Sequence, residues 1–253
     1  MASDGTIRTM PAVDARRRAP LPSNGLRTEH RSPVVRTVSL DRDDRALAAD
    51  RALLSAAERA HADRGTALVG RHRTALRAEL RRLVGEVLGM PPADVPLRAG
   101  THGRPELDVP GTDVSCSRSD GRGLVALSLT GRLGIDLERI TPWHDDVLDE
   151  GWLSPGERAA LRDLDPASRA LAAARCWSRK EALLKGIGTG LTDAMADLEV
   201  GVDDRCVAVG GWSVGSLPAP PGTVAGIATL PDRPLPSATS AAPERRTRGH
   251  VHL

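Results

Sequence analysis

The sequence contains no phenylalanine and no tyrosine, and four tryptophans supply its whole aromatic content of 2%. A core of this chain must therefore be built from Leu, Val and Ala, without the large aromatic anchors that often dominate packing. Hydrophobic residues make up 40% of the 253 residues, which is enough for one large domain or two small ones.

Cysteine is also scarce. Cys116, Cys176 and Cys206 form no CxxC pair, and their odd number argues against a disulfide or zinc framework. This pattern predicts free, buried thiols in a reducing compartment, so a cytoplasmic location is expected. Because no apolar run approaches the length of a bilayer crossing, no membrane partner is expected either.

Lysine is nearly absent: 35 side chains are basic, and only Lys180 and Lys185 are lysines. An ammonium is a compact point charge that suits phosphate oxygens, whereas a guanidinium is a planar fork. Since the chain uses Arg almost everywhere else, we interpret the two lysines as groups that face a polyphosphate. The simpler alternative is a helical Glu–Lys pair worth about 0.2–0.5 kcal/mol.

Charge is unevenly distributed along the chain. Residues 1–45 and 233–253 each carry a net charge of +3, and the part between them is mildly acidic. We predict disordered tails over 1–45 and 231–253, because both are rich in Arg, Pro and Ser without periodicity. The folded part then consists of two subdomains, 46–130 and 131–230. Its acidic balance argues against a nucleic-acid partner.

Hydrophobic periodicity predicts helices and short strands in mixture. Helices are predicted for LLSAAERAHADRG, TALVGRHRTALRAELRRLVGEVLG, SPGERAAL and PASRALAAARCWSRKEALLKG, the last ending at Gly186. GLVALSLTGRLGIDLERI predicts a β-hairpin that turns at Thr130–Gly131, and LEVGV, CVAVGGWSV and TVAGIATL predict further strands. No internal repeat is evident. The mixture indicates an α+β or α/β fold.

Two carboxylates stand two residues apart on a predicted strand. Asp136 and Glu138 therefore lie on one face, opposite the apolar face of the strand. Neighbouring carboxylates repel each other unless a positive group lies between them. Arg132 or Arg139 is the simple candidate for that group, and a hard divalent cation is the functional one, since Mg²⁺ often bridges carboxylates to substrate phosphates.

A third carboxylate lies in the long C-terminal helix. Trp177, Glu181 and Lys185 recur every four residues along one helix face, with Lys180 on the neighbouring stripe. The glycines of GIGTGL follow this helix instead of opening one, so they fit no phosphate-binding loop and predict a helix stop and a tight turn.

GIDLERI followed by WSRKEALLKG resembles the paired signatures of the Sfp-type 4′-phosphopantetheinyl transferases, (V/I)G(V/I)D(I/L)E and WxxKEAxxK. LSPGERAAL, HGRPEL at 102–107 and SRS at 117–119 are also similar, and the resemblance extends from about Leu53 to Leu230. It implies an α+β fold of two similar α/β halves, related by a pseudo-twofold axis, in a monomer. It further implies transfer of 4′-phosphopantetheine from coenzyme A (CoA) to a serine of an acyl or peptidyl carrier protein, which releases adenosine 3′,5′-bisphosphate.

The same resemblance implies roles for the residues of both motifs. Asp136, Glu138 and Glu181 would hold Mg²⁺, or Mn²⁺ as an alternative, on the CoA diphosphate. Glu181 or a metal-bound water would take the proton of the carrier serine. Lys185 would neutralise or protonate the leaving phosphate, and Lys180 would bind phosphate nearby.

Further residues match the family less closely. Arg104, Ser117 and Arg118 align with CoA-binding segments, although Arg118 replaces the usual His and Arg104 the usual Lys. Arg64 is a candidate for the 3′-phosphate, as are Arg59 and Arg71. Glu157 aligns with an acidic residue of the family, but a helix-capping role is enough to explain it. Trp177 packs its helix in place. The WxxKEA form is typical of members that serve polyketide and nonribosomal peptide synthesis.

Three alternatives to this enzyme remain at the level of sequence. The chain could be a relative that binds CoA or a carrier protein without turnover, since several aromatic positions, such as Leu183, are aliphatic. It could be another Mg²⁺-dependent phosphotransferase, which ATP in place of CoA would reveal. An Arg-rich nucleic-acid-binding protein is the third. The presence of all three carboxylates and both lysines favours the active transferase.

Overall fold

The computed structural model describes residues 32–100, 103–190 and 193–231. In the described residues of the first half, the α-helices and strands follow in the order β1 (Val34–Ser39), α1 (Asp44–Leu53), α2 (Ala56–Ala62), α3 (Ala67–Leu88), β2 (Leu97–Ala99), β3 (Pro105–Leu107), β4 (Asp113–Ser119) and β5 (Arg122–Ser128). The second half contains β6 (Gly131–Arg139), α4 (Asp145–Leu148), α5 (Pro155–Arg162), α6 (Pro166–Ile187), β7 (Val207–Val209), β8 (Trp212–Leu217) and β9 (Thr223–Pro231).

The larger sheet of each half is antiparallel and has the same connectivity. In the first half the strand order is β1-β5-β4, and in the second half it is β6-β9-β8-β7. Strands β1, β5 and β4 therefore correspond to β6, β9 and β8. In each half a long helix, α3 or α6, follows the first of these strands and precedes the other two along the chain. The mixed α and β architecture expected from the sequence is confirmed, and a twofold relation between the halves stays a prediction.

The correspondence extends to individual residues as an internal repeat. The helices α3 and α6 are both 22 residues long, and α6 is displaced by 99 positions, from 67 to 166 at one end and from 88 to 187 at the other. LSAAERA at 54–60 and LSPGERA at 153–159 show the same displacement. In both, the serine and glutamate form a capping box at the start of a helix. The sequence therefore contains a repeat of 99 residues, which is not evident from the sequence before the two helices are compared.

Capping groups fix both ends of the long helices. Thr66 and Asp165 accept hydrogen bonds from backbone N–H groups of the first turn of α3 and α6. Gly89 and Gly188 end these helices in the left-handed conformation, with φ of 67° and 85°. The predicted stop of α6 at Gly186 is thus two residues early, because Gly188 adopts the positive φ that closes the helix.

The two halves share an apolar core at their boundary. One cluster of buried residues belongs to the first half and lies beneath α3, and a second packs around α6. A third cluster joins the halves, and its buried members come from β5, β6 and β9: Leu124, Ala126, Leu133, Ile135, Leu137 and Ala225. Aliphatic side chains fill all three cores, apart from tryptophans in the second. Each helix in the described part of the chain is too short or too polar to cross a lipid bilayer.

Three expectations about local structure are wrong. The predicted tail over 1–45 is too long, because β1 lies within it and pairs with β5. The predicted hairpin does not form: β5 pairs with β1 and β4, whereas β6 pairs with β9, so the turn at Thr130–Gly131 connects two sheets. The segment LEVGV at 198–202 is not a strand. Residues 1–31 and 232–253 of the predicted tails lie outside the described residues.

A glycine allows α6 to lie close to β6. A Cβ atom at Gly134 would stand 1.9 Å from the carbonyl oxygen of Ala182 and 2.5 Å from the nitrogen of Gly186, both backbone atoms. We expect Gly134→Ala to lower the free energy of unfolding by about 3 kcal/mol or more, at or beyond the upper end of overpacking costs, measured by urea denaturation.

The matched control is another buried strand glycine. A Cβ atom at Gly123 would meet first the terminal methyl groups of Leu76 and Leu40, at 2.7 and 3.2 Å. These side chains can shift, so Gly123→Ala is expected to cost clearly less. Equal losses for the two variants would contradict the close packing of α6 on β6.

Candidate active site

Three polar side chains meet where β4, β6 and α6 come together. The ammonium of Lys185 lies 2.5 Å from Oδ1 of Asp136 and donates a hydrogen bond of 3.1 Å to Oγ of Ser117. The Ser117 hydroxyl in turn donates to Oδ1 of Asp136 at 2.8 Å. Asp136 is buried, with 2% of its surface exposed. The motif GIDLERI, the motif WSRKEALLKG and the segment SRS thus contribute to one site.

The other two predicted carboxylates lie beside this group and are half-buried. Burial and the neighbouring charge of Asp136 raise the pKa of Glu138 to about 7, although Lys185 and a hydrogen bond from the indole of Trp177 oppose the shift. Burial also raises the pKa of Glu181, and Asp136 adds to this effect against the opposing charge of Lys185. Burial is the largest cause of both pKa shifts, at a site where three carboxylates surround one ammonium.

The donor chemistry of this site fits a hard divalent cation. Oδ2 of Asp136 and Oε1 of Glu181 are buried without a hydrogen-bond partner in the described structure. Unpaired buried carboxylate oxygens are costly unless a cation or a donor satisfies them. As placed, no three acidic, histidine or cysteine side chains of the described residues are arranged to ligate one ion.

Neither arginine considered as a partner for Asp136 and Glu138 takes that role. Arg139 pairs with Asp120 at 3.3 Å, on the surface. Arg132 donates to the carbonyl oxygen of Ile187 at 2.7 Å and lies over the ring of Trp212. The positive group beside the carboxylates is therefore Lys185. Desolvation alone would lower the pKa of Lys185, but the charge and hydrogen bond of Asp136 together with the charge of Glu181 outweigh it, so the pKa is raised.

Three of the four tryptophans cluster behind the carboxylates. The ring centroid of Trp177 is 5.9 Å from that of Trp143 and 5.1 Å from that of Trp152. Edge-to-face and tilted pairs of this kind are favourable beyond the apolar area they bury. The cluster holds this face of α6 in place, in agreement with the packing role that the sequence suggested for Trp177.

Lys180 does not face a phosphate, which corrects the expectation from the sequence. Its side chain is fully buried, with an exposure of 0%. The ammonium lies 2.7 Å from Oε2 of Glu157 and donates to the carbonyl oxygens of Trp152 and Met195 at 2.9 and 2.8 Å. All three donors of an ammonium are used by these contacts. Lys180 is thus a structural residue, and of the two lysines only Lys185 belongs to the site.

The capping role expected for Glu157 is confirmed, but it is not the only one. Its carboxylate accepts from the backbone N–H of Ser154, as a capping box requires, and also from Val200 and Gly201. Its salt bridge with Lys180 has a counterpart in the other half of the repeat. There Glu58 pairs with the buried Arg81 at 2.7 Å, 99 positions earlier in the chain.

A cleft of about 570 Å³ opens beside Lys185 and extends into the first half of the chain. Besides Lys185, its basic wall residues are His61, Arg73, Arg77, Arg98 and Arg118. Glu58 is the single acidic side chain among the described lining residues; it pairs with Arg81 at 2.7 Å and with Arg77 of the wall at 3.7 Å. Aliphatic side chains such as Leu76 and Leu97 complete the wall. The cleft suits a long ligand that carries several negative charges.

The structure places only some of the predicted CoA contacts at this cleft. Arg118 lines it and is exposed. Arg104 does not line it, because its guanidinium bonds Asp113 and the carbonyl oxygen of Leu133. Arg64 is exposed outside it. Ser117 lines the cleft, but its hydroxyl already forms hydrogen bonds with Asp136 and Lys185.

Two other suggested contacts are also engaged elsewhere. Arg71 pairs with Asp44 at 2.6 Å, and Arg59 donates to the carbonyl oxygen of Leu54. His102, from the segment HGRPEL, lies outside the described residues. Sequence reasoning missed the cleft residues His61, Arg73, Arg77 and Arg98. The i, i+4 spacing of Arg73 and Arg77 in RHRTALR was the available signal.

Comparisons with known proteins identify the class of protein to which this chain belongs. The model of the 4′-phosphopantetheinyl transferase superfamily matches residues 132–209, which include Asp136, Glu138, Glu181 and Lys185. The chain is 31% identical over 197 residues to the 4′-phosphopantetheinyl transferase HetI of Nostoc sp., across 68% of this chain and 83% of HetI. A Synechocystis sp. protein with the same family name is 30% identical over 149 residues, or 57% of this chain and 61% of that protein. The chain belongs to the 4′-phosphopantetheinyl transferase superfamily.

Proposed function

We propose that this protein is an Sfp-type enzyme that transfers 4′-phosphopantetheine from CoA to a serine of acyl or peptidyl carrier proteins. The observation that carries the proposal is the position of Lys185. Its ammonium joins the carboxylate of Asp136 and also lines the basic cleft. A polyanionic ligand in the cleft and the carboxylate cluster therefore meet at one side chain.

The cleft supports CoA as the donor substrate. Its arginines can bind the diphosphate and the 3′-phosphate, since guanidinium groups bind phosphate in a bidentate manner. The aliphatic residues Leu76 and Leu97 offer an apolar surface to the nucleoside, and the described lining residues include no tryptophan. Contacts with the base would then be made by aliphatic groups, the imidazole of His61 and the faces of guanidinium groups.

The chemical step exchanges one P–O bond for another. The hydroxyl oxygen of the carrier serine bonds to the phosphorus that carries the pantetheine arm, and the bond from that phosphorus to adenosine 3′,5′-bisphosphate breaks. Glu181 accepts the serine proton, for which its raised pKa and unpartnered Oε1 suit it. Lys185 neutralises the leaving phosphate. Asp136, Glu138 and Glu181 would hold Mg²⁺, which supplies charge neutralisation on the diphosphate when it is bound.

The assignment to polyketide and nonribosomal peptide carriers rests on the WxxKEA motif, Trp177 to Ala182. No contact in the described structure distinguishes these carriers from others. We therefore propose this pathway class from the motif alone, and a comparison of apo carrier proteins from fatty acid, polyketide and peptide synthases tests it by their relative rates.

Intact mass spectrometry tests the proposed reaction. Purified protein, CoA, Mg²⁺ and an apo carrier domain should yield a carrier with one added phosphopantetheine arm, and chelation of Mg²⁺ should prevent the gain. A carrier that gains mass only when ATP replaces CoA would indicate another phosphotransferase. If CoA binds, as calorimetry would show, but no carrier gains mass, the chain is a relative without turnover.

A further inference from the structure

One face of β4 holds β6 by side chains and not by a backbone ladder. Asp113, Ser115 and Ser117 are two residues apart, so their side chains lie on the same face of the strand. Oδ2 of Asp113 accepts from the backbone N–H of Leu133 at 2.9 Å, and Oγ of Ser115 accepts from that of Ile135 at 3.1 Å. On its other edge β6 pairs with β9. Side chains of β4 therefore set the position of β6 relative to the first half.

Ser117 is the last of these three residues and contacts side chains instead of backbone. It is 7% exposed, and its hydroxyl has one proton to donate and lone pairs to accept with. The proton goes to Asp136, because a carboxylate is an acceptor only and an ammonium a donor only. The oxygen accepts from Lys185. A single hydroxyl thus fixes the distance between the carboxylate and the ammonium.

Lys185 is a side chain that benefits from such a contact. Its flexible four-carbon stem has many rotamers, and holding it in one of them costs entropy. The side chain is 32% exposed at the cleft wall. Two of its three ammonium N–H groups donate hydrogen bonds to Asp136 and Ser117, which leaves one N–H group for a ligand in the cleft.

We propose that Ser117 is a positioning residue of the transfer reaction, which holds Lys185 and Asp136 in register across the two halves of the chain. This inference rests on the proposed function. It replaces the direct contact with CoA that the resemblance implied for Ser117, because both capacities of the hydroxyl are used within the protein. Ser117 acts through Lys185, which itself faces the ligand.

The scarcity of lysine makes the contact measurable without activity. Lys180 is fully buried, so Lys185 is the accessible lysine of the chain. A brief reaction with acetic anhydride, followed by peptide mass spectrometry, reports how freely the Lys185 amine meets solvent. We expect Ser117→Ala to raise its acetylation rate by about tenfold, which corresponds to the loss of one charge-assisted hydrogen bond. Ser117→Thr should restore the slow rate, since it keeps the hydroxyl.

Ser115→Ala is the matched control. It removes the same hydroxyl from the same face of β4, but one that holds only backbone. We expect it to lower the melting temperature, and to change acetylation of Lys185 and kcat much less than Ser117→Ala does. Acetylation of Lys180 in any variant would report a loss of fold and not of positioning.

Steady-state kinetics give the functional half of the test. Ser117→Ala is expected to lower kcat by about 10- to 100-fold, the usual cost of losing a group that orients catalytic residues, with KM for CoA changed less than about threefold. A rise of KM with kcat unchanged would overturn the proposal and identify Ser117 as a CoA contact. Unchanged acetylation of Lys185 would overturn the positioning alone, whereas absence of transfer by the wild-type protein would overturn the proposed function itself.

Discussion

Replacing Lys180 by methionine is expected to lower the free energy of unfolding by about 3–5 kcal/mol, the usual cost of breaking a buried ion pair on one side. The change leaves the carboxylate of Glu157 buried without its partner, although the backbone N–H groups of Ser154 and Val200 still bond it. The pKa of Glu157 lies below its usual value: burial alone would raise it, but hydrogen bonds from Lys180, Ser154 and Val200 outweigh burial, and the bond from Lys180 has the largest effect of these. Chemical denaturation of the purified variants measures the loss.

The same substitution at the second lysine is the matched control. Lys185→Met removes a side chain that is 32% exposed at a cleft, but it also leaves the buried carboxylate of Asp136 without its ammonium partner. Because this site opens to solvent on the cleft side, we expect a smaller loss of stability than for Lys180→Met, together with loss of phosphopantetheine transfer. Similar stabilities for Lys180→Met and the wild-type protein would contradict the structural role of Lys180.

The pairing itself can be tested by a double variant. Glu157→Gln combined with Lys180→Met removes both charges, and only a neutral amide is left to satisfy the surrounding backbone groups. We expect the double variant to be more stable than Lys180→Met alone, because an unpaired buried charge is the main cost. Coupling between the two positions, measured as a double-mutant cycle, quantifies this effect.

Asp136→Asn is expected to reduce transfer by at least about 10²–10³-fold, the range found when one preorganised electrostatic group is removed. The amide keeps the shape of the side chain but removes the charge that attracts Lys185 and that would bind a divalent cation. It also places an NH₂ donor or a weaker acceptor beside Ser117. Carrier modification at saturating CoA, followed by mass spectrometry, measures the effect.

The control for this variant is Asp120→Asn. Asp120 pairs with Arg139 on the surface, and its side chain is 67% exposed. Exposed pairs of this kind contribute little to stability, so turnover and melting temperature should both be unchanged. An Asp136→Asn enzyme with near wild-type turnover would remove Asp136 from the catalytic centre and leave the role of the carboxylate cluster without support.

The sequence predicted which residues of the candidate site share a strand or helix face, because their spacing is local. Asp136 and Glu138 share a strand face, and Glu181 and Lys185 share a helix face, whatever the rest of the chain does. Helix caps are local in the same way, and Ser154 and Glu157 form the predicted capping box. Each of these predictions depends on residues within about two turns of one another.

Predictions that depended on contacts between distant segments of the chain were wrong more often. A turn at Thr130–Gly131 between two apolar runs is typical of a hairpin, yet the neighbour of each strand is decided by other parts of the chain. Lys180 and Lys185 look alike in sequence, since both flank Glu181. They differ because the side of α6 that carries Lys180 packs against the loop after Trp152 and the turn at Met195, which supply carbonyl acceptors.

The sequence alone determined the mixed α and β class, the carboxylates and the single helix that carries Glu181 and Lys185, because hydrophobic periodicity and side-chain spacing are properties of short segments. It also held the 99-residue repeat, which becomes evident once the two long helices are compared. Only the tertiary structure decided which lysine is buried, which arginines line the cleft and which hydroxyl joins Asp136 to Lys185. Those outcomes depend on contacts between segments far apart in the chain, and such contacts form only when the two halves pack against each other.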